Sequence, residues 1–186
     1  AHNPTGLSLN AKDRRAVLQA FSDMAMAHEN VGFTLLIDAA YHLYAKEPHG
    51  WAETITDALH DGMNWPANLL ITFAISLSKS HTIYGLRAGA LVSIHPDESV
   101  VDRITTVMGV TGRQTWSASS RLAQYSIARI HAEEESGDAW SVELVRLTEL
   151  LAKRRKLFIE ECSKNEVPIN PTHDGFFAWL EHEDPK

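Results

Sequence analysis

The sequence predicts an α/β fold: a mostly parallel sheet with flanking helices, and a long helix leading into a second, smaller domain. Three observations predict it. Phe33-Thr34-Leu35-Leu36-Ile37 and Leu69-Leu70-Ile71-Thr72-Phe73-Ala74-Ile75 are short continuous apolar runs, the pattern of strands buried on both faces of a parallel sheet. Before and after them, apolar residues recur at helical spacing. Leu144, Leu147, Leu151, Phe158 and Cys162 hold that spacing over an unusually long segment.

Taken in order, the first helix is capped by Asn10, with Asp13 three residues on. Val17, Leu18, Phe21, Met24 and Ala25 form its apolar stripe. Residues 33–37 and 69–75 are the two buried strands. Ala90-Leu91-Val92-Ser93-Ile94 makes a third, ended by His95-Pro96-Asp97 because proline cannot continue a ladder. Asp97 caps a helix to about Met108, the stretch from Gly109 to Gly112 breaks it, and another helix runs from about Ser117 to Glu135. Glu133-Glu134-Glu135-Ser136-Gly137-Asp138 reads as a solvated polar link. The longest helix then extends from Trp140 to about Asn165, roughly 40 Å at 1.5 Å per residue. Lys153-Arg154-Arg155-Lys156 is its solvated face. Beyond Pro168 and Pro171, Gly175-Phe176-Phe177-Ala178-Trp179-Leu180 reads as a strand of the second domain.

Composition narrows the function. With 186 residues, 44% hydrophobic and 22% charged, the chain is an ordinary globular sequence. Its net charge of −7 argues against nucleic acid or an anionic membrane as partner. No apolar run reaches the roughly 20 residues of a membrane span. Cys162 is the only cysteine, so no disulfide framework exists and a reducing, cytoplasmic location is expected. The ten histidines are scattered without metal-ligand spacing, and no metal site is expected.

Chemistry concentrates at Ser76-Leu77-Ser78-Lys79, with Arg87 eight residues beyond the lysine. Open α/β sheets place ligands at the carboxyl ends of their strands, and Lys79 follows directly on the run at 69–75. An amine there can form a Schiff base with a carbonyl cofactor. Ser76 and Ser78 can donate to a phosphate, and the planar fork of Arg87 can grip it. Gly85 and Gly89 flank Arg87 and allow backbone to pass close by.

Two further fragments fit the same picture. The chain opens with Asn3-Pro4-Thr5-Gly6, and Asp38-Ala39-Ala40-Tyr41 follows the first apolar run. In this order, Asn-Pro-Thr-Gly, Asp-x-x-Tyr and Ser-x-Ser-Lys-x7-Arg resemble the class I/II aminotransferases, the pyridoxal-phosphate enzymes of the aspartate aminotransferase fold. The resemblance runs from Asn3 to about Phe177. It implies that Lys79 is catalytic and carries pyridoxal 5'-phosphate, with Ser76, Ser78 and Arg87 around the phosphate. It implies that Asp38 pairs with the pyridine nitrogen and that Tyr41 and Asn3 hydrogen-bond the phenolic oxygen. Arg113-Gln114-Thr115-Trp116-Ser117 resembles a stretch whose arginine crosses the dimer interface to a substrate carboxylate. Ala118-Ser119-Ser120 replaces the Asn-Pro-Pro expected next, so a structural salt bridge is an equal reading of Arg113.

The function implied is transfer of an amino group between an amino acid and a 2-oxo acid, by a homodimer. Two rivals share these residues: a pyridoxal-phosphate lyase of the same fold, and the aminotransferase-like sensor domain of a transcription regulator. Such enzymes are about twice this long. The chain is therefore expected to be an internal fragment, inactive alone. Residues 1–139 would be the C-terminal part of the cofactor-binding large domain, 140–166 an interdomain helix, and 167–186 the beginning of a truncated small domain.

Overall fold

A computed structural model describes residues 1–180. The chain divides into two compact units: residues 1–8, 41–48 and 125–186 form the first, and 9–40 with 49–124 the second. The order of elements is α1 (Ala11–Ala27), β1 (Phe33–Asp38), α2 (Gly50–His60), β2 (Leu69–Ser76), α3 (Leu77–Ser80), β3 (Gly89–Ile94), α4 (Glu98–Thr115), α5 (Arg121–Ala132) and α6 (Glu134–Lys164).

The second unit holds the sheet, in the order β1-β2-β3. Strands β1 and β2 are parallel, joined through α2, and Phe33 faces Leu69 while Asp38 faces Ala74. Strand β3 returns antiparallel, with Ser76 opposite Gly89. The sheet is therefore mixed. Residues 77–88 hold the short α3 and a single 3-10 turn at Tyr84–Leu86, too little for the crossover that a parallel partner requires.

Helix α1 begins where the capping reading puts it, Asn10 accepting the Asp13 N–H at 2.9 Å. Its inner face carries Leu18 and Ala25, both fully buried, but also buried Arg14 and Ser22. Arg14 is satisfied by Thr54 Oγ1 at 3.0 Å and by the Leu9 carbonyl at 2.6 Å. Ser22 donates to the Asn64 carbonyl at 2.9 Å. Leu18, Leu35, Ile37, Ile55, Ala58 and Ile71 make the core, which joins α1, α2 and one face of β1 and β2. Helix α2 was not read from the sequence, although Trp51, Ile55 and Ala58 stand at helical spacing.

Burial corrects one expectation with consequences for the site. Strand β1 is not buried on both faces: it alternates, and Leu36 is 61% exposed. Being the outer strand, β1 has one sheet neighbour among the described residues, and the helices cover only one of its faces. The central β2 is the better-buried strand, with Leu69 and Ile71 fully enclosed.

Other boundaries also move. Gly109 and Gly112 do not break the chain; both lie inside α4, where a glycine costs only about 0.5–1 kcal/mol relative to alanine. Asp97 caps that helix as expected, accepting the Ser99 N–H at 2.9 Å, and the bond holds its carboxyl below the ordinary value. Helix α5 is shorter than the expected 117–135.

In the first unit, the acidic residues read as a polar link open α6 instead. Glu134 and Glu135 fall in its first turn, where the helix dipole favours negative charge. Helix α6 thus spans 31 residues and starts six positions before Trp140. The expected strand at 175–180 is reduced to one antiparallel bridge, Ile169 to Leu180, since no longer segment runs beside it among the described residues.

Gly89 has a positional role. An alanine Cβ there would lie 2.5 Å from the Ile75 carbonyl oxygen, part of the β2 backbone. Gly89→Ala is expected to destabilise the chain by about 1–3 kcal/mol by pushing β3 off β2. Denaturant unfolding of the variant beside the native protein checks this.

Candidate functional site

The parallel pair sets the geometry. Asp38 and Ala74 are partners at the ends of β1 and β2, and the Ala39 N–H still donates to the Ala74 carbonyl at 2.9 Å. What leaves β1 and what leaves β2 therefore emerge at one carboxyl edge. From β1 comes Asp38. From β2 come Ser76, Ser78 and Lys79.

Asp38 is exposed, because it continues the outward-facing alternation of β1. The expectation that it ends a wholly buried strand is corrected, and burial gives no reason for the carboxylate to need a partner. It is nevertheless oriented. The Ala40 N–H donates to its Oδ1 at 3.0 Å, fixing the side chain beside the strand end.

Ser76 ends β2 and stands in the N-cap position of α3, with extended backbone. Ser80 folds back to donate to the Ser76 carbonyl at 3.2 Å. The Leu77 N–H reaches the Ala88 carbonyl at 3.1 Å, closing the loop that carries Lys79 out and Arg87 back. Ser78 is buried and Lys79 half-buried, while Arg87 is exposed. Arg87 Nη1 donates to the Tyr84 carbonyl at 2.9 Å and has a longer contact, 3.4 Å, with Ser78 Oγ.

The loop is shaped by two non-glycine residues in the left-handed region, Thr82 at φ 54° and Arg87 at φ 51°. Such a conformation costs a side-chain-bearing residue about 1–2 kcal/mol, which the loop's contacts must offset. Between them lies a residue the sequence reading did not single out. The Tyr84 ring receives Lys79 Nζ at 4.5 Å and Arg87 Cζ at 4.9 Å from its centroid. Its position, five after the lysine and three before the arginine, was the available signal.

Asn3 and Tyr41 belong to the first unit, each held there by the segment 172–177. Asn3 is exposed in a turn at the start of the chain. That turn is anchored through Gly6, whose carbonyl accepts the N–H groups of His173 and Asp174 at 3.0 and 2.9 Å. Gly6 has φ 67°, and any Cβ there would collide with Thr172 Oγ1 and the Phe177 carbonyl. Tyr41 packs edge-on against Phe176 and Phe177, with centroids 5.5 and 5.0 Å away. Asp174, only 3% exposed, accepts the Lys46 N–H at 3.0 Å and ties the 3-10 turn holding Tyr41 and Tyr44 to the same segment. Burial raises the Tyr44 hydroxyl above its usual value. The Asp174-Gly175 turn was the sequence signal for this anchor.

Arg113 stands in the exposed last turn of α4. An open cleft of about 530 Å³ lies beyond that turn, lined by Leu86, Arg87, Trp116, Ala118, Ser119 and Ser120. Arg113 is not among its lining residues. The structure thus gathers Ser76, Ser78, Lys79 and Arg87 into one loop at the strand edge that Asp38 shares. No cluster of three His, Cys, Asp or Glu suited to a metal occurs among the described residues, and no described helix is long and apolar enough to cross a membrane.

A lysine, an arginine and hydroxyls on one turn after a parallel strand, with a carboxylate at the neighbouring strand end, define an α/β site suited to a carbonyl compound bearing a phosphate. Comparison with known proteins identifies the family. Residues 1–185 match aminotransferase class I and II, and the chain belongs to that family. It is 25% identical over 180 residues to the 3-methylarginine biosynthesis aminotransferase ArgM of Streptomyces arginensis, covering 97% of this chain and 41% of that protein. Its fold matches the crystal structure of an aminotransferase from Anaerococcus prevotii with a TM-score of 0.85 at 28% identity, covering 96% of this chain and 42% of the other. It also matches the aromatic-amino-acid aminotransferase of Burkholderia pseudomallei covalently bound to pyridoxal phosphate, with a TM-score of 0.70 at 22% identity, covering 91% and 39%. The chain spans about two-fifths of the length of these relatives.

Proposed function

We propose that this chain is a section of a pyridoxal-phosphate-dependent aminotransferase that moves an amino group between an amino acid and a 2-oxo acid. The observation that carries the proposal is the register at the strand ends, with Asp38 level with the residue two before Ser76. It puts a carboxylate and a lysine–serine turn on one edge of the sheet.

The donor set fits the cofactor. A phosphate calls for a guanidinium fork with hydroxyls, and Arg87 stands 3.4 Å from buried Ser78 Oγ, on the turn that Ser76 begins. An aldehyde calls for an amine, and Lys79 is the amine of that turn. A protonated ring nitrogen calls for a carboxylate, the role proposed for Asp38. Asn3 and Tyr41 are proposed as donors to the phenolic oxygen, as their counterparts are in the family. When bound, pyridoxal phosphate supplies a carbonyl that accepts an amino group and a ring that withdraws electrons from the substrate Cα.

The chain's residues then have distinct tasks. Lys79 Nζ is the amine that would hold the cofactor's aldehyde and the base that would take the proton from substrate Cα. Asp38 would pair with the ring nitrogen and favour its protonated form. Arg87, Ser76 and Ser78 fix the phosphate, so that the reacting carbon stays within reach of Lys79. Arg113 is proposed to meet a substrate carboxylate across a homodimer interface. The exposed apolar residues Val107, Met108 and Val110 on α4 are in keeping with a partner covering that helix. A cytoplasmic location belongs to the same proposal, as does the division into large domain, interdomain helix and start of a small domain.

The test is an amino-transfer assay of the full-length parent protein with pyridoxal phosphate and a panel of amino acids and 2-oxo acids. Sustained transfer at roughly 1–1,000 per second is expected; release of ammonia or elimination products without transfer would assign a lyase instead. In the same protein Arg87→Lys is expected to weaken cofactor retention about tenfold or more, because an ammonium keeps the charge but not the bidentate fork. Equilibrium dialysis against the cofactor measures this.

A further inference from the structure

We propose that Tyr84 is a positioning residue: its ring is a shared platform that holds Lys79 and Arg87 in fixed relation before a ligand arrives. The proposal rests on the reading of the site above. Both cations lie within the roughly 6 Å at which a ring face attracts a positive group, Lys79 Nζ at 4.5 Å and Arg87 Cζ at 4.9 Å from the centroid.

Packing does not account for an aromatic residue here. Tyr84 is 63% exposed and lies outside the core cluster of its unit. The loop backbone is bent toward the arrangement instead, with left-handed residues, Thr82 and Arg87, on either side of the tyrosine. Arg87 is held to Tyr84 twice, by the ring and by the 2.9 Å bond from its Nη1 to the Tyr84 carbonyl. Lysine and arginine are the most conformationally free side chains, and two of them drawn together repel each other. The negative face of one ring offsets that repulsion and removes much of the freedom. A ligand with a phosphate for Arg87 and a carbonyl for Lys79 then meets both groups already arranged, which lowers the ordering cost of binding.

The contacts use the ring and not the hydroxyl, so the two can be separated. In the full-length parent protein, Tyr84→Leu removes the ring at similar bulk, and Tyr84→Phe keeps it. Dissociation constants for pyridoxal phosphate and for pyridoxal, with melting temperatures, are measured for all three proteins. Tyr84→Leu is expected to bind pyridoxal phosphate about 5- to 30-fold more weakly, as loss of one or two cation–π contacts implies. Pyridoxal should lose less, since it makes no demand on Arg87. Tyr84→Phe should stay within about twofold of native for both compounds, with all three melting temperatures alike. Native-like affinity in Tyr84→Leu, or an equal loss in Tyr84→Phe, overturns the proposal. A parallel loss of both affinities with a lowered melting temperature assigns Tyr84 a structural role and also overturns it. A native parent that binds neither compound refutes the cofactor reading itself, a result distinct from a failure of Tyr84 alone.

Discussion

Lys79→Ala in the full-length parent protein is expected to lower kcat for amino transfer by about 10⁴-fold. General acid–base catalysis by one positioned group contributes roughly 10²–10⁴, and Lys79 is given two tasks, covalent attachment and proton movement. The loss therefore falls at or beyond the top of that range. The fold should survive. Lys79 is one residue of the four-residue helix α3, and alanine is the best helix former. Its side chain belongs to no core cluster, so stability should shift by no more than about 0.5 kcal/mol. Lys79→Arg is the sharper control. It keeps a cation for the Tyr84 ring, yet a guanidinium stays protonated and cannot attack a carbonyl. Rates near native in Lys79→Arg would mean that the site uses this position only for its charge. Steady-state rates, with melting curves on the same preparations, decide between the two.

The next largest effect is expected from Asp38→Asn, a fall in kcat of about 10²–10³-fold with the cofactor retained. The magnitude is that of removing one preorganised electrostatic partner from a reacting centre. The structure makes this a clean substitution. Asparagine is nearly isosteric, and its Oδ1 can still accept the Ala40 N–H that aspartate accepts at 3.0 Å. The turn at the end of β1 is kept and only the charge is lost. Asp38 is exposed in this chain, so no buried-charge penalty enters the comparison. Turnover close to native, with cofactor absorbance unchanged, would show that the carboxylate serves the turn alone.

The loop of the candidate site was legible because its residues are close in sequence. Ser76, Ser78, Lys79 and Arg87 lie within twelve residues, and a strand delivers them, so spacing alone put them on one loop. The caps Asn10 and Asp97 were legible for the same reason: a cap acts on backbone two or three residues away. Burial was less so. Leu36 is apolar and exposed because β1 is an outer strand, and strand order is a long-range property. Arg14 could not be read as a core residue, since its partner Thr54 is 40 positions away. Glycine misled at 109–112, where its conformational freedom was read as a break although a helix absorbs it at modest cost. Acidic residues misled at 133–138, where charge suggested a loop and a helix N-terminus uses it. Tyr84 was passed over because a lone aromatic in a polar loop has no periodicity; its two cations become neighbours only once Thr82 and Arg87 turn the chain.

The central claim is that Lys79 is the amine to which the cofactor is bound. Borohydride converts a carbon–nitrogen double bond to a stable secondary amine, whereas a free aldehyde becomes an unattached alcohol, so treating the full-length parent protein with pyridoxal phosphate and borohydride makes only the imine attachment permanent. Proteolysis and mass spectrometry then read out the modified lysine. The account predicts one dominant label, on the peptide containing Ser78-Lys79-Ser80, and its disappearance in Lys79→Ala. A label on Lys46, Lys153 or another lysine with Lys79 unmodified would contradict it.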